Sequence, residues 1–176
     1  MSEHRFTRLE SGALLARFAP VEADLLRLAT SQLVDMLAAG AENPQLAASD
    51  GVFGRLLPDA YRDDDEAAAE FRRFTATGLL ERKAQNAQIL LGSLGDAADS
   101  GSDTNANRRP VTISLDDGAV QAWLRSLTDL RLTLAERLQI SPDGVVQLDG
   151  DDTPFLRELY EWLGMLQEEL VYTIDV

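Results

Sequence analysis

The strongest constraint on this chain is the spacing of its apolar residues, which repeats at intervals of three and four. Such spacing places apolar side chains along one face of an α-helix. The first such segment begins at Pro20 and runs to Gly40, residue types that commonly begin and end helices. Three further segments show the same pattern, over residues 79–91, 117–138 and 153–170. The sequence therefore predicts amphipathic helices that pack on one another as a bundle.

A fifth helix is predicted to begin in the acidic run Asp63-Asp64-Asp65-Glu66. Acidic side chains in a first turn stabilise the positive end of the helix dipole. The short run Thr75-Ala76-Thr77-Gly78 then favours a break, because threonine and glycine are poor helix formers. The break would separate this helix from the one over residues 79–91.

The remaining regular patterns are typical of short strands. Residues 4–10 and 13–18 flank a Ser11-Gly12 turn and predict a hairpin, and residues 111–115 alternate as a strand does. Residues 145–148 could add an edge strand. The predicted fold class is mainly α, a bundle of four or five helices with a small antiparallel β element formed by the hairpin and the strand near 111–115.

The length of 176 residues corresponds to about one domain, so residues 1–176 are predicted to form a single domain. Residues 95–109 are dominated by glycine, serine, aspartate and asparagine, and no large apolar residue occurs among them. We therefore expect a flexible internal linker there.

Composition excludes several kinds of chemistry. The chain has no cysteine and one histidine, His4. Disulfides, thiolate nucleophiles, cysteine-based zinc sites and a Ser-His-Asp triad within one chain are thereby excluded. The serine and threonine residues have no evident base to activate them, and the glycines lack phosphate-binding spacing. No catalytic residue and no cofactor are assigned, which favours a non-enzymatic role.

The net negative charge limits the classes of molecule that this chain is expected to bind. The formal net charge is −14, and residues 141–176 contribute −8 of it, with nine acids and one arginine. Such a surface repels phosphate backbones and anionic lipids, so nucleic acid and membranes are not expected as partners. No apolar run approaches the length of a membrane span, and the start of the chain lacks a signal-peptide pattern, which predicts a cytoplasmic location.

The acidic cluster allows one catalytic alternative. Glu66 and Glu70 are four residues apart and share one helix face, where they could hold a hard cation with Asp63 and Asp64. A divalent-cation-dependent hydrolase or a metal-binding protein would result. The favoured interpretation is that these acids complement the helix dipole, since hard-cation sites need several converging oxygens.

Arginines and tryptophans supply the binding candidates. Arg131 lies within an apolar stripe, so it is expected at a bundle or subunit interface, paired with an acid such as Asp129 or one on another helix. The alternative is an anion pocket built by four arginines: Arg72, Arg73, Arg125 and Arg131. Trp123 and Trp162 have helical spacing with their neighbours, which indicates core or interface packing.

Two segments also carry a family resemblance: LLPDAYRDDDEAAAEFRRFT over residues 56–75 and AWLRSLTDLRLTLAERL over residues 122–138. They resemble the signature blocks of an uncharacterised actinobacterial family, a domain of unknown function, and residues 20–37 and 159–170 are similar to its other blocks. The resemblance implies no established activity, cofactor or catalytic residue. It implies that asparagine is usual where Thr128 stands, and that genes of the family often adjoin the gene for the Clp protease adaptor.

The sequence as a whole predicts a cytoplasmic interaction or regulatory protein without enzymatic activity. Its partner would be another protein or a second copy of the chain, with a homo-oligomer expected because of the long amphipathic helices. The gene neighbourhood that the resemblance implies would connect it with Clp-type proteolysis.

Overall fold

A computed structural model describes residues 4–57, 63–95 and 109–175, except the side chain of Arg72. The elements in chain order are β1 (Phe6–Arg8), β2 (Leu14–Phe18), α1 (Pro20–Glu42), α2 (Pro44–Ser49), α3 (Gly51–Leu56), α4 (Asp65–Gly95), β3 (Val111–Leu115), α5 (Asp117–Arg137) and α6 (Thr153–Asp175). The predicted fold class, mainly α with a small antiparallel β element, is confirmed.

Four long helices form the bundle. Helix α1 packs on α4, α4 packs on α5, and α5 packs on α6. The core between them consists mostly of leucine, with Leu26, Leu37, Leu80, Leu127 and Leu163 fully buried. None of the described helices is both long enough and apolar enough to cross a membrane.

Helix α1 does not end at Gly40, as predicted, but continues to Glu42. Gly40 is buried, and a Cβ atom at this position would collide with the ring of Phe53. The glycine therefore allows α3 to approach α1 closely, which is a packing role and not a capping role.

Helix α4 is continuous, so the predicted break at residues 75–78 is wrong. The helix runs for 31 residues from Asp65 to Gly95. The hydroxyl of Thr75 donates to the Phe71 carbonyl at 2.7 Å, and the chain remains helical through Gly78. One glycine costs about 1 kcal/mol in a helix interior, a penalty that packing of the same helix against α1 and α5 can offset.

The three strands form an antiparallel sheet in the order β1-β2-β3, with Ala16 opposite both Phe6 and Ile113. Alternate residues of β2 and β3 are buried, and this apolar face lies on the bundle. The predicted edge strand over residues 145–148 is wrong: the segment makes an isolated bridge from Val146 to Ile140 and backbone hydrogen bonds to residues 138 and 139, but it is not a strand of this sheet.

The linker predicted between residues 95 and 109 lies outside the described residues apart from its two ends. Gly95 is the last residue of α4, and Leu94 before it is fully buried.

Candidate protein-interaction site

An apolar groove follows α1 at the place where α6 begins. It consists of two hollows. The first hollow lies between α1, α5 and α6 and is lined by Leu25, Leu28, Ala29, Gln32, Leu33, Met36, Leu130, Thr133, Leu134, Arg137, Phe155, Leu156 and Leu159. The second hollow lies between α1 and α6 and is lined by Val21, Glu22, Leu25, Phe155, Glu158, Leu159 and Trp162. Since Leu25, Phe155 and Leu159 line both hollows, the two form one surface, which we call the α1–α6 groove.

The groove leaves large apolar side chains in contact with water. Val21 is 72% exposed, Leu28 is 59% exposed and Phe155 is 54% exposed. Single exposed apolar residues are common, but several around one concave surface mark an interaction site. Burial of the exposed part of each such side chain would contribute about 1–2 kcal/mol.

The sequence of α1 explains why the described residues leave the groove uncovered. One row of α1 residues is buried in the bundle, including Leu26, Leu33 and Leu37. A second row, which includes Val21, Leu25 and Leu28, lies beside the first on the helix surface. The apolar arc of α1 is therefore wider than its intramolecular contacts cover.

Three charged residues line the groove, and one of them has partners within the chain. Glu22 accepts from Arg5 at 2.7 Å and from the Ala19 backbone N–H at 2.9 Å. Arg137 lines the first hollow and Glu158 lines the second, and both side chains are exposed. Neither has an ion-pair partner in the part of the chain that the structure describes.

Arg131 lines neither hollow and lies at the contact between α5 and α6. Its guanidinium donates to the Gln167 Oε1 at 3.1 Å and to the Tyr160 hydroxyl at 3.4 Å, and lies 4.9 Å from the centre of the Tyr160 ring. Gln167 also donates to the Thr128 hydroxyl at 2.6 Å. Polar and cation–π contacts thus hold Arg131 between the two helices.

Asp129 does not pair with Arg131, as suggested from the sequence, but with Lys83 of α4. The Lys83 Nζ lies 2.7 Å from Oδ1 of Asp129, whose side chain is 2% exposed. Residues two apart on a helix point in different directions, so Asp129 faces α4 while Arg131 faces α6. Burial raises the pKa of the Asp129 carboxyl, and the hydrogen bond and charge of Lys83 lower it only in part.

Of the four arginines considered for an anion pocket, Arg73 and Arg131 lie on different sides of the bundle. Arg131 lies on the side of α5 that faces α6. Arg73 is an exposed residue of α4, and α4 packs on the other side of α5, where Asp129 lies. Arg125 is exposed, and the side chain of Arg72 lies outside the described part of the chain.

The two tryptophans occupy different environments. Trp123 is fully buried, its ring stacks on Phe18 with centroids 5.7 Å apart, and its Nε1 donates to the Ser93 hydroxyl at 3.0 Å. Trp162 is half-buried and lines the second hollow. Of these two candidates, the structure places only Trp162 at the groove.

The acidic residues considered for a metal site are all exposed: Asp63, Asp64, Glu66 and Glu70. The Asp64 carboxylate accepts from the Ala67 backbone N–H at 3.0 Å, as a helix cap does. Across residues 4–57, 63–95 and 109–175, no three histidine, cysteine, aspartate or glutamate side chains lie close enough to hold a metal ion.

Trp162 was a binding candidate from the sequence and lines the second hollow, whereas most residues of the groove were not singled out. Val21 belongs to the apolar stripe of α1 and Leu28 to the same stripe, so both were expected in the bundle. A signal was present in α1, since Val21 and Leu28 are seven residues apart and define a row beside the buried one. The role of Gln167 had no sequence signal, because it depends on how α6 packs against α5.

These features define a small, mainly helical protein whose most distinctive surface is an apolar groove. The chain belongs to the family described as a domain of unknown function (DUF2017), whose model matches residues 3–174.

The chain is similar to curated proteins that are named as regulators. The chain is 32% identical over 139 residues to the "oxidative stress regulator AosR" of Mycobacterium tuberculosis and of Mycobacterium bovis, a match that covers 71% of this chain and 58% of each relative. It is 28% identical over 153 residues to the "putative oxidative stress regulator AosR" of Mycobacterium leprae, which covers 78% and 62%. The matches thus span about three fifths of the length of these relatives. No solved structure matches the chain.

Proposed function

We propose that this chain is a cytoplasmic regulatory protein that binds a protein partner, either another protein or a second copy of itself, through the α1–α6 groove and has no enzymatic activity. One observation carries the proposal: Val21, Leu28 and Phe155 are exposed around a concave apolar surface. A protein partner that covers these side chains would remove their apolar surface from water, which stabilises the complex.

The chemistry of the groove supports binding over catalysis. Its lining is mostly aliphatic and aromatic, and each hollow contains a single charged side chain free of partners in the described structure, Arg137 or Glu158. An acid and a base within reach of one substrate atom would be expected at a catalytic site. The Lys83–Asp129 pair does not supply them, because it connects α4 to α5 and belongs to neither hollow.

The names of the relatives support the regulatory part of the proposal. They are called regulators of oxidative stress, and the matched regions cover most of this chain. The 176 residues contain no cysteine, so a redox signal could not be sensed by a thiol within them. The gene neighbourhood that the family resemblance implies makes Clp-type proteolysis one setting for this regulation.

A groove substitution tests the proposal. In Leu28→Asp, a charge replaces an exposed apolar side chain in the first hollow, and burial of that charge by a partner would be unfavourable. We expect recovery of at least one protein that co-purifies with the tagged chain from its native cells to fall about tenfold, since loss of the apolar contact that Leu28 makes with the partner costs about 1–2 kcal/mol. Quantitative mass spectrometry of the recovered proteins measures this.

Phe74→Asp is the matched control, because Phe74 is 80% exposed on α4 and does not line the groove. It should leave recovery unchanged. Circular dichroism of both variants establishes that the helices form. The proposal would be contradicted if Leu28→Asp and the parent chain recovered the same proteins in the same amounts, or if the parent chain recovered none.

A further inference from the structure

We infer that the occupant of the α1–α6 groove is a second copy of this chain, related to the first by a two-fold axis through the middle of the groove. The inference rests on the proposed function, since it names the partner of the same surface. Its argument comes from the order of charges along the groove and from the positions of the exposed apolar side chains.

The two hollows follow one another along α1. The second hollow meets α1 from Val21 to Leu25, and the first meets it from Leu25 to Met36. Glu158 belongs to the hollow near the start of α1, and Arg137 belongs to the hollow near its end. Apart from Glu22, which is paired with Arg5, the groove therefore has an acid toward one end, a base toward the other and apolar residues between them.

This arrangement is complementary to itself. A two-fold axis through the middle of the groove makes the α1 helices of the two copies antiparallel. The Glu158 end of each copy then meets the Arg137 end of the other, which gives two identical ion pairs. A different protein would need the same alternation of charge on its own surface, whereas a second copy already has it.

The apolar residues lie where such an interface would bury them. The α1 segment from Val21 to Met36 is about 22 Å long at 1.5 Å per residue. A standard interface buries about 800 Å² per subunit, a patch about 28 Å across. Val21, Leu28 and Phe155 of both copies would leave water together. The formal charge of −14 on each copy opposes association, so apolar burial must drive it and the ion pairs set its orientation.

Charge reversal provides the test, with sedimentation velocity of the full chain over a range of concentrations. We expect a dimer for the parent chain. Glu158→Arg and Arg137→Glu should each raise the dissociation constant of the dimer about tenfold, because each places like charges together twice. The double variant Glu158→Arg/Arg137→Glu restores opposite charges and should return the dissociation constant to within a few-fold of the parent value. Both side chains are exposed, so these variants should fold.

Three outcomes would overturn the inference: a monomer at every concentration, a dimer that both single reversals leave unchanged, or a double variant no better than the single ones. Leu28→Asp must also dissociate the dimer, while Phe74→Asp must not. A monomeric parent chain whose other protein partners are lost in Leu28→Asp would reject the second copy and leave the proposed function standing. A third result is also distinct: the parent chain is a dimer, yet Leu28→Asp and the parent recover the same other proteins. That result would reject the proposed function for those proteins.

Discussion

Replacement of Lys83 by methionine is expected to lower the free energy of unfolding at pH 7 by about 3–5 kcal/mol, the usual cost of removing one partner of a buried ion pair. Asp129 is 2% exposed, and Lys83 is its ion-pair partner in the described structure. Oδ2 of Asp129 already has no hydrogen-bond partner there, so the substitution would leave the whole carboxylate uncompensated. Urea unfolding monitored by circular dichroism measures the change.

The same variant should show a distinctive dependence on pH. Burial holds the pKa of Asp129 above its ordinary value in the folded chain, so the folded state binds the proton more tightly than the unfolded state. Stability attributable to this group is therefore present at low pH and is lost as pH rises through the raised pKa. Lys83 lowers this pKa, and Lys83→Met removes that influence. The difference in free energy of unfolding between the variant and the parent chain should therefore shrink as the pH falls below the pKa of Asp129.

Two control variants separate the charge from the packing. Asp129→Asn removes the buried charge while Lys83, which is partly exposed, can still reach water. It should cost far less than Lys83→Met. The double variant Lys83→Met/Asp129→Leu should recover most of the loss, because an apolar pair can replace a buried ion pair. A deficit in Lys83→Met that stays constant with pH, or that Asp129→Leu does not relieve, would contradict this account of the pair.

Trp123→Ala is the second large effect, with an expected loss of about 3–5 kcal/mol in the free energy of unfolding. The indole is fully buried between the sheet and the bundle, where it stacks on Phe18 and contacts Phe6 edge-on at 6.4 Å. Its removal leaves a cavity and breaks the main aromatic contact between the two layers. Trp162→Ala is the matched control and should cost less than about 1 kcal/mol, because Trp162 is half-buried in the groove.

Fluorescence makes this comparison direct, since each variant keeps one tryptophan as a reporter. In urea unfolding, the midpoint concentration of Trp123→Ala should be well below that of the parent chain. The midpoint of Trp162→Ala should be close to that of the parent chain. Equal losses of stability in the two variants would contradict the assignment of Trp123 to the core and Trp162 to the interaction surface.

Much of the fold could be predicted because periodicity reflects burial directly. The spacing of apolar residues located α1, α5 and α6, and alternation located the sheet. The break predicted in α4 was wrong because local propensity at Thr75 and Gly78 is a weaker influence than tertiary packing of a long helix. Gly40 was misread as a cap because the approach of Phe53 is a contact between residues distant in sequence.

The candidate site was less predictable for the same reason. Helical spacing shows that Val21 and Leu28 share a row, but whether a neighbouring helix covers that row depends on where α6 begins to cross α1. The direction of Arg131 followed from its place in the stripe, whereas its partners Gln167 and Tyr160 depend on the register of α6 against α5. Pairwise contacts of this kind have no signature within a single helix.

The central claim is that the α1–α6 groove is a protein-binding surface, and site-specific crosslinking in the native cells tests it most directly. A photoreactive benzoylphenylalanine would replace Leu28 or Phe155 in the groove, and Phe74 on α4 as the control. The account predicts protein adducts of higher mass from both groove positions after irradiation, and none from position 74. Absence of adducts from the groove positions, or equal adducts from position 74, would contradict it.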